Sequence, residues 1–99
     1  MPRIGIFMEK IIEAVARIAS EMIEPEEYTS PILAKHTIEA IRNVGVYLRP
    51  ERLDSIYCGL CGKGPFTRKG YYIHLIRVHS SEIQSLVEEE AERILKQLK

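Results

Sequence analysis

Cys58 and Cys61 are separated by two residues, Cys61 and His74 by twelve, and His74 and His79 by four. Thiolate sulfur and imidazole nitrogen are the donors zinc takes, and this is the spacing of a closed four-coordinate site. Gly59 and Leu60 make a tight turn that presents two sulfurs to one ion, with the Gly62 and Lys63 amides placed to point back at them. Two histidines about one helical turn apart put two nitrogens on one face of a helix. The pattern predicts one structural Zn2+ held by Cys58, Cys61, His74 and His79. A CxxC pair also suits thiol redox chemistry, but the two histidines would then be coincidental. Hydrolysis needs an open position for water, and four protein ligands leave none. The chain is therefore not expected to be an enzyme. His36, beside Lys35 on a helix-patterned stretch, reads as a surface or packing histidine.

The charges around these ligands are uneven. From Ser55 to Ser81 there is no acidic residue, while Lys63, Arg68, Lys69 and Arg77 lie within that span. The whole chain has a formal net charge of zero, so the remainder carries the balancing acids. Net charge alone gives no push toward a nucleic acid or an anionic membrane, whereas the local basic segment does.

Residues 56–79, with CGLCGK as a knuckle, resemble the C2H2 zinc finger family. The resemblance implies a short β-hairpin carrying Cys58 and Cys61 and a helix from about Arg68 carrying His74 and His79. Departures from the family pattern are local. Pro65 stands where the family has an aromatic core residue and Phe66 follows one position late. Tyr71 fills the other apolar core position, and Ile56 replaces the aromatic that often precedes the first cysteine. Base-reading positions, by the same resemblance, fall on Thr67, Lys69, Gly70 and Ile73. Gly70 offers no side chain and Ile73 can only touch a thymine methyl; Arg68, Arg77 and Lys63 read as phosphate clamps.

The resemblance thus implies a DNA-binding transcriptional regulator with Lys63, Thr67, Arg68, Lys69 and Arg77 at the nucleic acid. One finger covers little DNA, so self-association through amphipathic helices, placing two fingers on successive half-sites, is expected to assist it. The alternative is a protein-protein interaction module in which zinc is a staple and Tyr71, Tyr72, Ile73 or the C-terminal helix makes the contact. Tyr57, Tyr71 and Tyr72 could also stack on RNA bases. Single-finger regulators of this size and isoleucine-rich composition are similar to small proteins of archaea and their viruses.

Helices must position this segment. Ile4, Met8, Ile11, Val15, Ile18 and Met22 recur at spacings of four and three, an amphipathic stripe that predicts a helix over 4–23. The stripe suits packing within the chain and also the seam of a coiled coil. Pro25 stops it. Ser30-Pro31 reads as an N-cap and first helical residue, predicting a second helix from Pro31 to about Tyr47, with Gly45 a weak spot and Pro50 a stop. Ser81 and Gln84 read as a capping box opening a third stripe of Ile83, Leu86, Val87, Ala91, Ile94, Leu95 and Leu98. Glu88, Glu89 and Glu90 precede Arg93 and Lys96 in the order that favours helical ion pairs.

The expected fold is mainly α, amphipathic helices around one embedded ββα C2H2 finger, in one compact unit. Residues 1–54 form a helical hairpin, 55–80 the finger, and 81–99 a terminal helix. In a chain of 99 residues the core is limited, so a metal would add useful stability. Apolar runs are far shorter than the roughly 18 residues of a spanning helix, and Glu9 and Lys10 interrupt the N-terminal run. An intracellular protein, cytoplasmic or nucleoid-associated, without a membrane partner, is the expectation.

Overall fold

Ile11, Val15 and Ile18 fall on one side of the first helix and are buried, as the spacing predicts. The computed structural model describes residues 4–97, with side chains from Met8 onward. Ile4 and Leu98, at the ends of two expected stripes, lie outside the described side chains. Four α-helices follow in order: α1 (Ile4–Ala19), α2 (Lys35–Tyr47), α3 (Arg68–Val78) and α4 (Ser80–Gln97), with a 3-10 turn over Pro25–Glu27. α2 packs against both α1 and α4, and α1 also touches α3 and α4. Val15, Ile18, Ile41, Leu48, Leu75 and Ile83 meet in the fully buried centre. Ile11, Val15 and Ile18 of the α1 stripe are thus spent inside the chain's own core, while Met22, beyond the helix end, is exposed. Among the described residues no helix is long and apolar enough to cross a membrane.

The expected ββα finger is not present: among the described residues the fold is all helical and has no strands. Where a hairpin was expected, Ile56 and Phe66 form one isolated antiparallel bridge. The Phe66 amide donates to the Ile56 carbonyl at 2.7 Å, and the ladder goes no further. Pro65 has no N–H to offer to a strand pair, and the added residue before Phe66 displaces the aromatic that would start the second strand.

Helix limits also differ from expectation, each for a visible reason. α1 stops at Ala19 rather than Ile23 because Glu21 adopts a left-handed φ of 59°. Met22 then donates to the Arg17 carbonyl (2.9 Å) and Glu21 to that of Ile18 (3.0 Å), the paired bonds of a Schellman stop. Arg49 secures this end, its Nε donating to the Ile18 carbonyl at 2.8 Å and its other nitrogens reaching the Ile23 carbonyl and Glu24. α2 begins at Lys35 rather than Pro31. Ser30 Oγ accepts from the Ile32 amide at 3.2 Å, closing a local side-chain turn instead of capping a helix. Ala34, with no capping group, precedes α2.

The capping box expected at Ser81 and Gln84 does not form either. α3 and α4 are joined through the single residue His79, whose amide donates to the Leu75 carbonyl (3.0 Å) and whose carbonyl accepts from Ile83 (2.9 Å). The preceding helix supplies the acceptors a cap would have provided. Gln84 instead donates to Glu88. On the same helix Glu90 accepts from Arg93 and from Asn43 of α2 (2.8 Å), tying α4 to α2 at the surface.

Tyr71, fully buried, links α3 to the end of α2. Its hydroxyl donates to the Leu48 carbonyl at 2.6 Å and accepts a longer contact from the Gly59 amide at 3.4 Å. Truncation to Tyr71→Phe leaves that buried carbonyl unpaired, at a cost of about 1–3 kcal/mol. The metal-loaded protein should melt correspondingly lower, by roughly 4–8 °C per kcal/mol. An unchanged melting temperature would mean the bond contributes nothing.

Candidate metal centre

The turn from Cys58 to Lys63 is built from its own backbone. Cys58 donates to the Lys63 carbonyl at 2.8 Å, and Gly62 returns a bond to the Cys58 carbonyl at 2.9 Å. Gly62 has φ of 78°, a left-handed conformation that other residues enter only with strain. The Gly62 amide, expected at a sulfur, is therefore occupied by a carbonyl. Instead the Leu60 amide donates to Cys58 Sγ at 3.3 Å, while the Lys63 amide does serve Cys61.

α3 begins where the resemblance implies, at Arg68. Thr67, expected at a base, is its N-cap: Oγ1 accepts from the Gly70 amide at 3.0 Å. His74 lies on the body of α3 and His79 at its C-terminal cap, so the two rings project from one helix end, their centroids 4.9 Å apart. Phe66 lies over His74 with centroids 4.6 Å apart, so the aromatic that arrives one position late supports the ring of a candidate ligand.

The donor atoms of Cys58, Cys61, His74 and His79 all lie within 4.8 Å of one another. Cys61 Sγ and His74 Nε2 are 3.3 Å apart. One half of the cluster is inside the protein, Cys58 and His79 being 4% exposed each, and the other half faces outward. His79 Nε2 is buried and has no hydrogen-bond partner. An unpaired buried nitrogen of this kind is costly, and a cation at the centre of the cluster would satisfy it. The residues thus fit a metal ion, and the four side chains could hold one. His36 lies on the first turn of α2, outside the cluster.

The thiols are unequal. The Lys63 amide, then the His79 and His74 rings, draw the exposed Cys61 thiol down to about 6. Burial pushes Cys58 up, against the Leu60 and Cys61 amides. For His79, burial favours the neutral ring, but Glu82 and Cys61 together outweigh it and raise its pKa. Its Nδ1 pairs with a carboxylate oxygen of Glu82 on the first turn of α4. Sequence reasoning passed over Glu82, although an acid three residues beyond a ligand histidine on a continuing helix was the signal available.

The basic candidates are all exposed, although Arg68 and Arg77, nine residues apart on α3, fall on opposite sides of that helix. Lys63 is on the turn, Arg68 and Lys69 are in the first turn of α3, and Arg77 is in its last. None of the four is in an ion pair with another described residue. Tyr71, considered a contact residue, is instead core; Tyr57 and Ile73 are exposed.

No protein-family model matches this chain, and no curated protein or solved structure was found similar to it. The resemblance to C2H2 fingers rests on the ligand spacing and the few residues around it.

Proposed function

We propose that the protein holds one structural zinc ion through Cys58, Cys61, His74 and His79 and uses the helix anchored there to associate with DNA as a transcriptional regulator. Two thiolates and two imidazoles are a donor set suited to zinc, and a set that closes all four positions suits a structural ion rather than a catalytic one. The observation that carries the DNA reading is the exposed quartet of Lys63, Arg68, Lys69 and Arg77, in a segment without a single acid between Ser55 and Ser81. Lys69, Ile73 and Arg77 succeed one another at intervals of four and are all exposed, so α3 has a basic edge with an apolar centre. Arg68 and Lys69 sit at its N-terminal end, where the helix dipole also favours phosphate. The His74 and His79 ligands would fix that helix against the bundle. Self-association would double the contact, and would have to use surfaces other than the buried Ile11, Val15 and Ile18 of α1.

Fluorescence anisotropy of labelled duplex DNA, titrated with zinc-loaded protein at several salt concentrations, tests the reading. With four cations at phosphates the log–log slope of affinity against salt should approach about −3.6, at roughly −0.9 per contact. The Arg68→Ala/Lys69→Ala variant should flatten it by about 1.8. Absence of binding at low salt would refute the proposal.

A protein-interaction module is the second reading, favoured by a different surface. Tyr47 is 72% exposed beside a groove between α2 and α4 that is also lined by Val44 and Leu86. Partner capture that survives loss of the basic quartet but not of Tyr47 would select it.

A further inference from the structure

We infer that Glu82 is a positioning residue of the metal centre, orienting His79 and presenting its Nε2 to the ion. The inference rests on the metal reading above and adds a fifth residue to the site, drawn from a different helix. Three observations carry it. Glu82 Oε1 is paired with His79 Nδ1. The opposite ring nitrogen, Nε2, is one of two buried side-chain polar atoms left without a partner among the described residues, the other being Ser20 Oγ. His79 itself is 4% exposed, so bulk water has little access to satisfy Nε2.

An imidazole whose Nδ1–H is donated to a carboxylate keeps its lone pair on Nε2 and becomes a stronger ligand. Such outer partners also fix the ring plane. His74 is held differently, by the Phe66 ring. The centre therefore has one ligand histidine steadied by a charge and one by an aromatic face. The Glu82 contact also crosses the joint between α3 and α4. Filling the centre would hold the first turn of α4 against the end of α3, and Ile83, the next residue, is fully buried in the core.

The test is a competitive titration of the full chain with Zn2+ and with Co2+, whose visible absorption reports ligand geometry. Glu82→Ala should weaken affinity by roughly 10–100-fold and shift the cobalt absorption. Glu82→Gln, whose amide oxygen can still accept from Nδ1–H, should fall between Glu82→Ala and the parent. Glu92→Ala, which removes an exposed acid elsewhere on α4, should match the parent. Helicity of the metal-free proteins, read by circular dichroism, should be the same for all four. Binding by Glu82→Ala and Glu82→Gln equal to the parent, with unchanged cobalt spectra, would overturn the inference. So would an equal loss in Glu92→Ala, or a loss of affinity matched by lost helicity before metal is added. Failure of the parent to bind either ion would instead remove the metal reading itself.

Discussion

Chelation of the zinc-loaded protein should lower its melting temperature by roughly 15–30 °C. The size follows from linkage: an ion present at about 1,000 times its Kd stabilises the folded state by about 4 kcal/mol, and a chain of this length shifts by roughly 4–8 °C per kcal/mol. Location within the molecule follows from burial. Cys58 belongs to the same apolar cluster as Ile56, Tyr71 and Leu75, so leaving its sulfur and the His79 nitrogen unsatisfied loosens the side of the core that α3 covers. α1, α2 and α4 also pack directly against one another and should remain helical. Circular dichroism after chelation should therefore lose at most the signal of the 11-residue α3. Cys58→Ser should reproduce the chelated state without a chelator. Coincident melting curves with and without the ion would show that it does not hold the fold.

Gly45→Ala should destabilise the protein, against the usual benefit of removing a helical glycine. That benefit is about 1 kcal/mol in an open helix. Here the added Cβ would lie 2.6 Å from both Cβ and Cγ2 of Ile18 and 3.3 Å from the Val15 carbonyl oxygen. Ile18 is β-branched and fully buried, so its rotamer cannot swing aside. Overpacking of this kind costs about 1–3 kcal/mol, and a contact as close as 2.6 Å belongs at the upper end, leaving a net loss of up to about 2 kcal/mol. A valine at the same position should cost more than about 3 kcal/mol, because its branches press α1 away from α2. Denaturant melts of Gly45→Ala, Ile18→Ala and the double variant provide the check. Ile18→Ala removes one of the two clashing atoms, so the double variant should lose less than the sum, by roughly 0.5–3 kcal/mol. Strict additivity would mean that the two helices do not meet there.

Gly45 also marks the limit of what the sequence could convey. Its place near a helix end reads as weakness, because the requirement it meets belongs to the neighbouring helix. The apolar spacing of Ile11, Val15, Ile18, Ile41, Val44, Ile83 and Val87 was legible, since a helix must bury one face. The proximity of the four ligand side chains was legible too, from spacing alone. The hairpin was not. The implied strands depended on family geometry, and the local chemistry of Gly64-Pro65 before Phe66 overrode it, leaving a single bridge. Ser30 and Ser81 illustrate the same competition at helix ends. Each has the chemistry of a cap, but Ser30 closes a turn of its own and Ser81 lies inside a helix already supplied with acceptors. Thr67, read as a DNA contact, was the residue that did become a cap.

The joint between α3 and α4 has a bearing on how the chain can change over generations. His79 closes one helix with its amide, opens the next with its carbonyl, and contributes its ring to the ligand cluster. An inserted or deleted residue beside it would rotate α4 by about 100° and carry Glu82 and Ile83 away from their partners together. The length of this stretch is consequently locked. Drift in length is better tolerated between Pro50 and Ser55, where no helix runs and side chains are largely exposed. Any lineage of such chains should therefore keep the interval from Cys58 to Ile83 fixed while the connection leading into it varies.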